Sequence, residues 1–239
     1  MNIDLSATWQ EASRVALCGR AAVVIDVLRA TSTIVTAIQS GAHRVIPVET
    51  PEDARLAAEE TGADGAVLGG ERGGLKIEGF DFGNSPYEYT PRSVGGKTVI
   101  MTTTNGTQAF AAAREADVTF AAALLNIGSV ADALLHEGRD VAIICAGTEG
   151  RVSLDDLYCA GALIERIITP GTDGMLNDGA RLAVHWYGSN TGTGFDVLAS
   201  CAHGRRLAEL GFHRDLEYCS RVDTVMEVPV LKGRSLVSR

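Results

Sequence analysis

Short apolar runs alternate with helically spaced ones along most of the chain. AAVVIDV (21–27) is an apolar run of strand length, and TSTIVTAIQSG behind it has the spacing of a helix that stops at Gly41. HRVIPVE (43–49) repeats the strand pattern. TPEDARLAAEE then opens a helix with Thr50 as N-cap, Pro51 at the first position and Asp53 closing a capping-box-like pair. GAVLGG (65–70) and KTVIMT (97–102) predict further strands, the second followed by the turn TTNG and an alanine-rich helix from about Thr107. DVTFAA (117–122), the helix IGSVADALLHEG and the strand RDVAIICAG (139–147) continue the alternation.

The second half is helical in pattern. From Ser153 a helix carries Leu154, Leu157, Ile164 and Ile168 on one face; further helices are expected over 177–187, 194–210 and 212–220, and a last strand over 223–231. Repeated strand-then-helix order predicts a three-layer α/β/α fold on a mostly parallel, mixed sheet. No linker, low-complexity segment or internal repeat breaks the pattern, so one domain over 1–239 is expected.

Ligands of open parallel sheets sit beyond the carboxyl ends of the strands. Four polar loops fall there: DVLRATST, GERGGLK, TTTNGT and CAGTEGR. Composition narrows what they could bind. Net charge is −9, from 21 basic and 30 acidic side chains, with no basic run, which argues against nucleic acid. An anionic ligand therefore needs a local positive site, because the global field does not steer it. Five cysteines without a CxxC fit reduced cytoplasmic thiols, and no stretch approaches the roughly 20 apolar residues of a membrane span. Apolar helix faces in the second half allow a homodimer.

Each loop admits a plain and a chemical reading. Asp26, ending an apolar strand, caps the next helix or pairs with Arg29, or else binds a metal or attacks phosphorus while Arg29 holds an anion. A second Asp two residues later would suit a haloacid-dehalogenase phosphatase; Leu28 stands there. Thr104 and Asn105 supply short donors in a turn that is able to cradle phosphate, or form an ordinary turn and N-cap. Residues 70–86, GERGGLKIEGFDFGNSP, lack a Walker spacing; their glycines would let Glu71, Arg72 and Lys76 aim inward, unless the segment is a solvated Ω-loop. Cys145 and Arg151 have the spacing of cysteine phosphatases, but Ile144 replaces the usual His and an apolar strand end favours packing. Glu149 and Asp155/Asp156 could serve a metal, although Ser153 to Asp156 also spells a capping box. None of the five histidines has metal spacing; His203 in SCAHGRRL could approach a site.

Together VVIDVLRATST (23–33), GERGGLKIEGFDFGNSPYEY (70–89), MTTTNGT (101–107), CAG with SLDD (145–156), and SCAHGRRL with Asp223 and VPV resemble the 2-phosphosulfolactate phosphatase family, ComB type. The resemblance implies a Mg²⁺-dependent phosphatase that converts (R)-2-phospho-3-sulfolactate to sulfolactate and phosphate, a step of coenzyme M synthesis in methanogens. It also implies an α/β fold distinct from the haloacid-dehalogenase class. A phosphorylated 2-hydroxy acid of another kind, or a non-catalytic sensor of such a metabolite, are the alternatives. Charge neutralisation dominates hydrolysis of a phosphate monoester dianion. Mg²⁺ is therefore expected on Asp26 with one or more of Glu71, Asp81 and Glu149. Arg29, Lys76, Thr104 and Asn105 would complete the phosphate cradle, and Arg72 or Arg151 would take the sulfonate and carboxylate of the substrate.

Overall fold

A computed structural model describes residues 1–62, 65–168, 175–190 and 192–239. Among the described residues ten strands form one sheet: β1 (Ile3–Ser6), β2 (Ala21–Ile25), β3 (Arg44–Pro47), β4 (Ala66–Arg72), β5 (Leu75–Lys76), β6 (Thr98–Thr102), β7 (Val118–Ala122), β8 (Val141–Cys145), β9 (Pro229–Lys232) and β10 (Ser235–Ser238). Their order is β1-β8-β2-β7-β9-β10-β3-β6-β4-β5. Two parallel blocks, β1-β8-β2-β7 and β3-β6-β4, flank the antiparallel β9–β10 hairpin.

Helices cover both faces, which gives three layers. Successive side chains of a strand point to opposite faces, and β2 shows both being used. Val23 and Ile25 pack in one core with Leu134 of helix Ile127–Glu137 and Leu163 of helix Leu154–Ile167. Ala22 and Val24 pack in the other with Ile34 and Ile38 of helix Ala30–Gln39 and Phe110 of helix Gly106–Ala112. Every residue of β2 is sealed from solvent. That explains its unbroken apolar run, because a strand covered on both sides has no polar face to alternate. Thr50 caps helix Pro51–Thr61 as expected, accepting a hydrogen bond from the Asp53 N–H at 3.0 Å.

Two local expectations fail for identifiable reasons, and one strand was not foreseen. The 194–210 pattern is two helices, Gly194–Ser200 and Ala202–Glu209, broken at an extended Cys201. Gly204 permits the turn: a Cβ there would lie 1.9 Å from the Leu198 carbonyl oxygen, so the second helix packs directly on the end of the first. The closing strand does not begin at 223; β9 starts at Pro229 and turns back as β10, while Asp223 and Val225 donate their N–H groups to the carbonyls of Leu124 and Leu125. β1, which lacked an apolar run of its own, adds to β8 as an edge strand. Among the described residues no helix is long and apolar enough to cross a membrane.

Candidate active site

The four loops singled out in the sequence line one cavity of about 480 Å³. Through the β9–β10 hairpin the two parallel blocks are nominally antiparallel to each other. The backbone ladders that join the hairpin to β7 and β3 are centred on Phe120–Val230 and Val45–Leu236. Loops behind strands of both blocks nonetheless line the same cavity. Helix Ala202–Glu209 supplies a further wall with His203, Arg206 and Leu207.

Asp26 follows β2 at the floor. Its Oδ1 accepts a hydrogen bond from the Ala30 N–H (3.2 Å), and its carbonyl accepts from both the N–H and the hydroxyl of Thr31 (2.9 Å each). One carboxyl oxygen therefore caps helix Ala30–Gln39, while Oδ2 has no hydrogen-bond partner among the described residues. Gly106 is what allows the approach from the other block. A Cβ at 106 would stand 2.6 Å from Asp26 Oδ2 and 2.5 Å from the Ala30 Cβ. Burial raises the Asp26 pKa from 3.8 to about 6; the nearby His203 and the Ala30 N–H pull the other way, and Glu71 and Asp155 add to the rise.

The remaining acids are tied to loop backbone. Glu71 accepts from the Thr104 N–H through Oε1 (2.8 Å) and from the Gly74 N–H through Oε2 (2.7 Å), locking the loops after β4 and β6 together. Asp156 joins the loops after β2 and β8, accepting from the N–H groups of Val27 (2.9 Å) and Gly147 (3.1 Å). Burial, with Asp155 and Asp26 beside it, pushes the Asp156 pKa well up. The capping box expected at Ser153 is thus absent. The Ser153 hydroxyl instead donates to Asp155 Oδ1 at 2.6 Å, and Asp155 faces the cavity.

Arg29 lines the cavity, but its guanidinium is already engaged. It forms a buried ion pair with Asp215 (2.6 Å), donates to the Gly74 carbonyl (2.8 Å) and lies 4.1 Å above the Phe212 ring. Asp215 in turn accepts from the Ser85 hydroxyl (2.8 Å), so three separate segments hold Arg29 in place. Thr104 and Asn105 also line the cavity, and Asn105, the N-cap of helix Gly106–Ala112, makes no side-chain cap bond. Glu149 sits exposed at the rim with φ +51°.

Four expected contributors lie off the cavity wall. Arg72 neighbours Glu71 on one strand, so pleating sends it to the opposite face, where it donates to the Thr102 hydroxyl and the carbonyls of Glu49 and Glu71. Lys76 pairs with Glu71 across the β4–β5 turn yet stays exposed and outside the lining. Asp81 faces away and accepts from the Leu68 N–H of the sheet (2.8 Å). Arg151 closes a backbone turn with Thr148 and is exposed outside the cavity. Cys145 ends β8 inside the core, where burial pushes its thiol pKa well up, the reverse of an activated thiolate.

Asn84, Asp215 and Arg206 were missed by the sequence reading as site residues, whereas Asp155, offered there as a metal ligand, does line the cavity. The signal for Arg206 was weak: an HGRRL helix remote in sequence from every strand end. Among the described residues no three of His, Cys, Asp or Glu gather into a ready metal cage.

Comparison with known proteins gives concordant matches over nearly the whole chain. A family model described as 2-phosphosulpholactate phosphatase matches residues 8–234. A Clostridium acetobutylicum relative named probable 2-phosphosulfolactate phosphatase is 44% identical over 230 residues, 96% of this chain and 97% of its own. Relatives of the same name from Thermotoga petrophila (44% over 212 residues, 89% of each chain) and Clostridium beijerinckii (39% over 232 residues, 97% of each chain) are similar too.

Proposed function

The chain belongs to the 2-phosphosulfolactate phosphatase family of phosphoric monoester hydrolases, and we propose that it hydrolyses (R)-2-phospho-3-sulfolactate to 3-sulfolactate and phosphate, with Mg²⁺, in the cavity above Asp26. The carrying observation is the acidic floor. Asp26 lies near Glu71 and Asp155, and burial together with those neighbours makes its ionisation costly. A phosphate dianion would be repelled there unless a further cation joined it.

The residues fit such an ion. Mg²⁺ commonly binds through one or two carboxylates and keeps waters and substrate phosphate oxygens for the rest of its shell, so the absence of a three-ligand cage is compatible with it. Asp26, with its free Oδ2, and Glu71 would hold it, and Asp155 is within the same cavity. Asp81 drops out, lying off the cavity wall that Glu71 lines, and Glu149 serves the rim. When bound, Mg²⁺ neutralises charge on the phosphoryl oxygens.

The chain's own groups supply the rest. Arg29 presents a fixed positive charge whose orientation Asp215, Gly74 and Phe212 determine. Thr104 and Asn105 offer hydroxyl and amide donors to phosphoryl oxygens from the opposing loop. Ionised Asp26 serves through Oδ2 either by holding the ion or, with Glu71 and Asp155 left to hold it, as nucleophile or as base toward water; each role requires the deprotonated carboxyl. His203 gives a proton to the leaving C2 oxygen as the P–O bond breaks. Arg206, rather than Arg72 or Arg151, receives the sulfonate and carboxylate end. It is the cavity-lining cation with only a loose partner, Glu209 at 3.6 Å. The same reading assigns the reaction type to coenzyme M synthesis and the enzyme to the cytoplasm.

One observation favours a second reading. Val152, Leu207 and Leu210 give the cavity an apolar wall that a small dianionic tail does not use. A phosphorylated 2-hydroxy acid with an apolar substituent would use it. Phosphate release from a panel of phospho-2-hydroxy acids, with and without Mg²⁺, separates the two. Preference for phosphosulfolactate supports the first, and preference for a branched-chain analogue the second.

A further inference from the structure

Asn84 is the residue whose chemistry the fold leaves unused. It is 5% exposed and lines the cavity, and its Oδ1 is the buried side-chain polar atom without a hydrogen-bond partner among the described residues. Its Nδ2 makes no hydrogen bond there either; only its backbone carbonyl is engaged, by the Thr33 hydroxyl at 2.9 Å.

Everything around that amide is pinned. The Gly83 carbonyl accepts from the Tyr89 hydroxyl (2.7 Å) and the Gly70 N–H (3.1 Å). Glu88 Oε2 accepts from the N–H groups of Gly83 (2.9 Å) and Ser85 (3.4 Å), and the Ser85 hydroxyl donates to Asp215. The Thr33 bond fixes Asn84 to the helix that Asp26 caps. A buried amide with no partner is costly, and buried polar groups are nearly always satisfied. An amide held rigidly on a cavity wall with both ends free is preorganised for a bound molecule.

We propose that Asn84 is a substrate-contacting residue. Its N–H groups donate to anionic oxygens of the bound phosphorylated acid, and its Oδ1 accepts from the water that attacks phosphorus or from the alcohol released. Both halves of the amide find partners only when the cavity is filled. The identity of the anion rests on the phosphatase reading above; the contact itself does not.

Two variants test this, Asn84→Ala and Asn84→Leu, the latter close in shape but without polar atoms. Neither loses a side-chain hydrogen bond of the free protein, so the Leu variant should match or exceed wild-type stability in urea. Inorganic phosphate and sulfolactate, each with Mg²⁺, should raise the melting temperature of wild type and not of either variant. The kcat/KM of the variants should fall on the order of 100- to 1000-fold, the range for removing one preorganised donor. The inference is overturned by wild type showing no shift with either probe, by a variant retaining the full shift, or by both variants being destabilised while keeping kcat/KM. Wild type that shifts with phosphate but hydrolyses no phosphosulfolactate would instead overturn the substrate assignment and leave the Asn84 contact to be judged by the shift alone.

Discussion

Replacing Asp26 by asparagine removes one proton equilibrium and little else. Asparagine keeps an Oδ1 to accept the Ala30 N–H, so the helix cap survives. What disappears is the cost of ionising a carboxyl whose pKa rises from 3.8 to about 6 on folding. The folded protein holds this proton more tightly than the unfolded chain. Below pH 3.8 both states are protonated and Asp26 costs nothing. As pH climbs from 3.8 to 6 the unfolded state releases its proton first and stability falls; above 6 the loss is complete. A shift of roughly two units corresponds to about 3 kcal/mol. In metal-free protein, Asp26→Asn should therefore be more stable than wild type by up to about 3 kcal/mol at pH 7.5, roughly 6–12 °C in melting temperature for a chain of this size. The gap should vanish toward pH 3.5. Urea unfolding of chelated wild type and variant at both pH values measures it. A gap independent of pH, or a variant less stable at pH 7.5, refutes the placement of Asp26 as a desolvated carboxyl. The same variant should lose at least about 10³-fold in kcat under the proposal that the ionised group acts at phosphorus.

Arg206→Ala should lower kcat/KM for phosphosulfolactate on the order of tenfold or more beyond its effect on a simple phosphomonoester, as expected for one lost charge-assisted contact; equal losses on both substrates would return tail recognition to another group. Asp215→Ala strands the buried Arg29 guanidinium and should destabilise by about 3–5 kcal/mol in urea, whereas Arg29→Met with Asp215→Leu should recover most of it. A single variant within about 1 kcal/mol of wild type would show that the pair is solvated.

The layered core was legible because strands covered on both faces leave unbroken apolar runs, as Ala21–Ile25 does, and because Thr50-Pro51 carries its own cap chemistry. The four loops were legible for the same reason: they are the polar interruptions behind those runs. What escaped depends on distant pairing. Nothing local in residues 229–238 says that they form a hairpin between two blocks, and nothing near His203 says which wall its helix completes. Asp156 looked like a cap because Ser153 precedes it at the right spacing; the backbone N–H groups it serves instead belong to residues 129 and nine positions away. Arg72 was a different kind of miss, since strand alternation alone sets it opposite Glu71 once GERG is taken as strand rather than loop.

Hydrolysis of phosphosulfolactate at a cation-assisted carboxylate site is what we propose for this protein. Its most direct test is phosphate release from (R)-2-phospho-3-sulfolactate by purified protein, first after exhaustive chelation and then with Mg²⁺ restored. No release is expected from the chelated enzyme, and turnover should recover on adding Mg²⁺. Release that persists undiminished after chelation, or none in either condition, would contradict it.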